Sequence, residues 1–224
     1  MPVEYEIFTV KEARTLYASS DATHDFDHVL RVARMAVHIA EQEGADVFVV
    51  HLAALLHDVP VHSIVDAGLD DARSVRQAHH LAAAQAARTL LLQRGLGTDV
   101  TERVVHCIEA HRYRDRTIQP ETLEAKCVYD ADKLDSMGAI GIARVFAYAG
   151  THGSRLWAEP VGSMSSREIA PAGDEYTPAH EYFYKLERLH ECLHTQTARH
   201  IGRERHAFMK RFFERLDVEM MADG

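Results

Sequence analysis

Helical spacing of apolar residues runs almost without a break along this chain, and that pattern restricts it to an all-α fold. Val32, Ala36, Ile39 and Ala40 recur on one face of a segment that stops at Gly44. Further helices are predicted over 47–58, about 72–94 before Gly95, about 98–111, 121–133 after Pro120, and 138–149. Thr98 or Asp99 is the expected cap of the helix at 98–111. Leu186, Leu189 and Leu193, then Phe208, Phe212 and Leu216, carry two apolar stripes toward the C-terminus. Periodicity fails only over THGSRLWAEPVGSMSSREIAPAGDEYTP, so 150–178 is expected to be a long irregular, lid-like loop. Thr177-Pro178 would cap the helix that follows it.

A chain of 224 residues suffices for one sizeable core, so a single domain over 1–224 is expected. Its motif-bearing core would cover about 22–150, with the loop at 150–178 and C-terminal helices at 178–218. A formal charge of −9, without a run of Lys or Arg, argues against polymeric nucleic acid as a partner. A small phosphorylated molecule held by a few focused cations remains compatible with it. The longest apolar stretch, Val47 to Leu56, is too short to cross a membrane. The start MPVEYEIF lacks the features of a signal peptide. Cys107, Cys127 and Cys192 show no CxxC spacing and read as buried thiols. These readings place the protein in the cytoplasm.

Sixteen histidines are too many to weigh singly; the informative ones continue an apolar stripe and so point inward. His28 shares a face with Val32, Met35 and Ile39, His57 follows Ala53 and Leu56, and His111 follows Val104 and Ile108. His194, His200 and His206 lie among polar residues and read as solvated. VYDADKLD places Asp130, Asp132 and Asp135 directly after an apolar turn, where dense carboxylates need a cation or partners. Asp135 reads as part of a solvated, capping turn; Asp132 reads as a ligand. His28, His57, Asp58 and Asp132 then form a set of two imidazoles and two carboxylates. Such mixed ligation suits one divalent ion, Mn²⁺ first, with Fe²⁺, Co²⁺, Ni²⁺, Mg²⁺ or Zn²⁺ as alternatives. It leaves positions open for water and a substrate oxygen.

The order H…HD…D on helices resembles the HD-domain metal-dependent phosphohydrolase superfamily. HDFDHVLRVA, AALLHDV, IEAHRYR, EAKCVYDADKLDSMGAIGIARVFAY, YFYKLERL and TQTAR are similar to its bacterial YedJ/YpgQ-type subgroup, over roughly 22–216. The resemblance implies a helical bundle with the metal between helices. It also implies hydrolysis of nucleoside triphosphates, with deoxynucleotides as the expected substrates here, to the monophosphate and pyrophosphate. Phosphomonoesterase or phosphodiesterase activity on the same metal, and a non-catalytic nucleotide or metal sensor, are the alternatives.

His24 and Asp25 would then be substrate-side and catalytic groups that orient the ligands. His111 is the candidate proton-transfer or phosphate-contacting group, because imidazole titrates near neutral pH. Lys133, Arg144 and Lys185 are the candidate phosphate cations. Lys133 could instead snorkel outward, and Arg144 could pair with Asp130 or Asp135. The chain departs from better-known HD nucleotidases in having Val61 where they carry a carboxylate, leaving Asp66 or His62 as substitutes. His79 or His80, with His111, would supply a second metal in a binuclear reading, which the subgroup resemblance disfavours.

Overall fold

The computed structural model describes residues 8–17, 26–59, 72–112, 117–165 and 170–222, with backbone alone at 72–79 and 174. Every regular element among them is helical, as the periodicity requires. The chain divides into two compact units, Met1–Asp132 and Lys133–Gly224.

In the first unit α1 (Val10–Leu16) begins in a reciprocal cap. Thr9 Oγ1 accepts from the Glu12 amide, and Glu12 accepts from the Thr9 amide. The next helix, α2 (Phe26–Glu43), buries Val29, Val32, Ala33, Ala36, Ile39 and Ala40 along one stripe. It ends at Gly44, whose φ of 77° is the left-handed conformation that glycine adopts without a Cβ clash. Asp46 caps α3 (Val47–Leu56) by accepting from the amides of Phe48 and Val49.

Seven of the ten α3 residues are buried, so this helix is surrounded, and α2 and α5 (Thr98–Glu109) pack on it. The fourth helix, α4 (Ala72–Gln93), packs on α5. Gly97, with no side chain to cap with, takes the N-cap position of α5. Thr98 and Asp99 are therefore inside the helix, and Asp99 favours the first turn through its charge. The start of α6 (Leu123–Asp135) is likewise later than Pro120 suggests, because Thr122 Oγ1 accepts from the Ala125 amide and sets the boundary there.

The second unit takes up the end of α6 and adds α7 (Gly138–Thr151), α8 (Pro178–Tyr184) and α9 (Gln196–Met221). Gly138 turns the chain between α6 and α7 with φ 69°, and a Cβ there would meet Arg205 Cγ at 3.0 Å. The irregular stretch is tied down. Asp217 of α9 accepts from Trp157 Nε1 at 2.8 Å and from the Val161 amide at 2.9 Å. Within this stretch lie two short 3₁₀ turns, 161–163 and 173–175. Thr177 caps α8 as its sequence predicts, with Pro178 in the first turn.

The leucine stripe at 186–193 forms a 3₁₀ helix over Leu186–Cys192, burying Leu186 and Leu189. On α9 the buried stripe is Ala198, Gly202, Met209 and Phe213, while Phe208 is 42% exposed. The expected stripe through Phe208 is thus displaced by one residue. Adjacent phenylalanines, Phe212 and Phe213, leave the register open in the sequence, and Phe213 takes the inward place by stacking on Tyr182 at 4.3 Å.

Candidate metal centre

Three helix ends in the first unit converge on one cluster. His28 lies in the first turn of α2, His57 caps the C-terminus of α3, and His111 follows the C-terminus of α5. All three are buried, with exposures of 2%, 0% and 7%. His57 Nδ1 lies 2.8 Å from the carbonyl of Ala54, and His111 Nδ1 lies 2.6 Å from that of Ile108. A carbonyl only accepts, so in both rings Nδ1 carries the proton and donates. Nε2 is left as the lone-pair nitrogen in each. The same three-residue back-bond thus fixes two tautomers, as ligating histidines require.

The Nε2 atoms gather around two carboxylates. His57 Nε2 is 3.5 Å and His28 Nε2 is 3.7 Å from Asp58 Oδ2, while His111 Nε2 is 3.6 Å from Asp58 Oδ1. His28 Nε2 is also 3.5 Å from Asp132 Oδ1, on α6. Ring centroids are 5.4 Å apart for His28 and His57 and 5.2 Å for His57 and His111. These polar separations exceed hydrogen-bond length. They match atoms placed around a common centre, since ligands about 2.1 Å from an ion lie roughly 3–3.5 Å from one another.

One ligand atom each from His28, His57 and Asp58 falls within 4.8 Å of the others, the spacing of a metal site. The donor chemistry fits as well. His57 Nε2 is fully buried and has no hydrogen-bond partner among the described residues, an arrangement that costs stability unless something binds there.

Protonation states agree with this reading. Burial pushes the His57 imidazole down to about 4, against the attraction of Asp58, so the ring is neutral at pH 7. Burial also raises Asp58, but the His57 and His111 imidazoles outweigh it and hold the carboxyl well below its usual range. The site therefore presents a neutral His57 imidazole and an ionised Asp58 carboxylate, the forms that bind a divalent cation.

The other candidates fall in various places. His24 and Asp25 lie outside the described residues, as do Val61, His62 and Asp66. The His79 side chain is also outside them, whereas His80 is buried with its ring 6.5 Å from that of His111. Lys133 follows Asp132 but does not snorkel outward; it is 7% exposed. Asp135 is not solvated. It is 5% exposed and accepts from Arg144 at 3.0 Å, because the helix α7 that carries Arg144 packs its cation next to the end of α6. Asp130, in the same run, is fully buried. Lys185 Nζ donates to Glu181 Oε1 at 2.5 Å, one helical turn earlier.

His200 is exposed, but His206 is not a solvated residue. It stacks on His190 at 4.0 Å, and burial lowers its pKa. Cys107 and Cys127 are buried thiols, raised by that burial, while Cys192 is half-buried. No motif in the sequence singles out Tyr17, whose buried hydroxyl donates to the carbonyl of Leu55 at 3.0 Å, two residues before His57. The cue available was a lone tyrosine ending a short amphipathic helix, which points nowhere in particular without the fold.

A helical unit with His, His-Asp and Asp converging from separate helices defines an HD-domain protein, and the chain belongs to that family, whose profile matches residues 25–137. The particular relatives are bacterial. The uncharacterized protein YpgQ of Bacillus subtilis is 36% identical over 210 residues, covering 92% of this chain and 89% of YpgQ. The crystal structure of Bacillus subtilis YpgQ in complex with ADP superimposes with a TM-score of 0.68 at 34% identity, covering 94% of this chain and 97% of that one. An HD-superfamily hydrolase from Bacillus thuringiensis superimposes with a TM-score of 0.68 at 27% identity, covering 95% of each chain. Among the described residues no helix is long and apolar enough to cross a membrane.

Proposed function

We propose that this chain is a divalent-metal-dependent phosphohydrolase that cleaves a nucleoside triphosphate, most readily a deoxynucleotide, to the monophosphate and pyrophosphate in the cytoplasm. The observation that carries the reading is the buried, unpartnered Nε2 of His57, facing Asp58 with its tautomer fixed by Ala54. The ADP bound by the YpgQ crystal structure supports a nucleotide as the ligand class.

In this reading His28, His57, Asp58 and Asp132 hold the ion, for which Mn²⁺ is our choice. Held there, such an ion would supply an acidified water and a counter-charge for the phosphoryl group. The Ala54 and Ile108 carbonyls keep the lone pairs of His57 and His111 turned toward Asp58. His111 Nε2, at the edge of the cluster, is placed to take or return a proton during hydrolysis. Asp25 assists from the segment before α2, and His24 contacts substrate. Lys133, Arg144 and Lys185 are the proposed phosphate cations. Arg144 would act while its charge is shared with Asp135.

The test is a screen of nucleoside tri-, di- and monophosphates with Mn²⁺, Co²⁺ and Mg²⁺ added separately, the products being resolved by anion-exchange chromatography. Pyrophosphate and a monophosphate are expected from triphosphates. Release of inorganic phosphate alone sinks the pyrophosphohydrolase reading, and binding without turnover under any metal identifies a sensor. Asp58→Ala should lose both metal and turnover with its helical content intact, whereas Asp25→Ala should keep metal and lose turnover. The reverse pattern would put the ligand in the wrong dipeptide.

A further inference from the structure

The last turn of a helix leaves carbonyls without intrahelical partners, and α3 ends just where the cluster needs its most exact placement. His57 and Asp58 are consecutive, and both project from that turn. A site of this kind works only when its ligands are held within about 0.5 Å. His57 is held through its own ring by Ala54. The turn that carries Asp58 is held from α1 as well.

Tyr17, 3% exposed, reaches this turn from the end of α1. Its hydroxyl donates to the carbonyl of Leu55 at 3.0 Å, and the backbone of Asp58 hydrogen-bonds to the same hydroxyl. One oxygen therefore ties the residue two before His57 to the residue just after it. The ring does a second task. Its centroid lies 5.6 Å from that of Phe26, which opens α2 two residues before His28. The Arg14 guanidinium lies 4.7 Å from the centre of the Phe26 ring, so the end of α1 grips Phe26 with two side chains. Tyr17 thus touches the backbone of the turn that carries His57 and Asp58 and the side chain that opens the helix of His28.

We propose that Tyr17 is a positioning residue of the metal centre, fixing through its hydroxyl the α3 turn that presents His57 and Asp58 and through its ring the start of the helix that presents His28. The proposal rests on the metal reading above for its function. The hydroxyl acts through the peptide backbone and does not touch the ion.

Tyr17→Phe removes the hydroxyl and keeps the ring. Two measurements test it, both on the full chain. Amide exchange of the metal-free protein, followed by NMR, should show the Asp58 amide exchanging at least tenfold faster in Tyr17→Phe, with the middle of α2 unchanged. Titration calorimetry with Mn²⁺ should show affinity weaker by tenfold or more. Ile39→Val, a truncation within the buried stripe of α2, is the control, because it lowers melting temperature without touching the α3 turn. It should bind Mn²⁺ like wild type. A merely structural tyrosine would lower melting temperature as Ile39→Val does and leave Mn²⁺ affinity within twofold, and that result overturns the proposal. An unchanged Asp58 amide overturns it independently of any metal. Failure of the wild-type protein to bind Mn²⁺ overturns the metal reading itself, and Tyr17's role in a metal centre with it.

Discussion

His57 carries a pH dependence that its burial dictates. An unfolded imidazole takes up its proton near 6.5, but the folded ring resists until about 4. Between those values the unfolded state binds the proton that the folded state refuses, so this contribution to stability is intact above pH 6.5 and falls away on acidification. The full loss is about 3 kcal/mol by pH 4, and about 2 kcal/mol by pH 5. Asp58 acts in the same direction at lower pH, since its folded carboxyl is held below the usual range. Urea unfolding of the EDTA-treated protein from pH 7.5 to 5 should show this decline, and His57→Asn should flatten it. An equal slope in both proteins would mean the ring is not desolvated. At this scale the inward place of His28, His57 and His111 was legible because these histidines continue apolar stripes, and Asp132, which follows an apolar turn, comes beside His28. The burial of Asp135 and of His206 was not legible, because their partners Arg144 and His190 stand nine and sixteen residues away along the chain.

Among the elements, α8 is where the proposed function makes its next testable claim, through Lys185 at its C-terminal end. The pairing of Lys185 with Glu181 satisfies the lysine within its own helix turn, and exposed pairs of this kind contribute at most about 1 kcal/mol. A triphosphate in place would compete for the same ammonium. Lys185→Ala should then lower triphosphate turnover by about tenfold or more, the size of losing ~1.5–3 kcal/mol from a charge-assisted hydrogen bond, with metal content unchanged. Turnover within twofold of wild type, measured beside metal content and melting temperature, would leave Lys185 only its structural pair. Helix existence was readable from spacing for every α-helix except α1, whose seven residues are too few to show a stripe. Helix boundaries were less so, because a boundary depends on which neighbour supplies the cap. Gly97 displaced Thr98, and Thr122 displaced Pro120.

The whole molecule gathers its metal candidates in the first compact unit, residues 1–132. An ion that binds only the folded site stabilises by mass action, by about 2.7 kcal/mol at a hundredfold excess over Kd. Scanning calorimetry with Mn²⁺ should raise the transition that includes this unit by about 5–10 °C. Asp58→Ala should abolish the shift; an equal shift in that variant would place the ion elsewhere. The all-α class, the order of the longer helices and the inward place of His28, His57 and His111 were determined by the sequence itself, because periodicity records which face of each helix avoids water and buried chemistry interrupts that face visibly. Tertiary structure alone decided the depressed titration of His57 and the reach of Tyr17 to Leu55. Those depend on distances of about 3 Å between residues far apart in the chain and on desolvation, and neither quantity exists until the helices have packed.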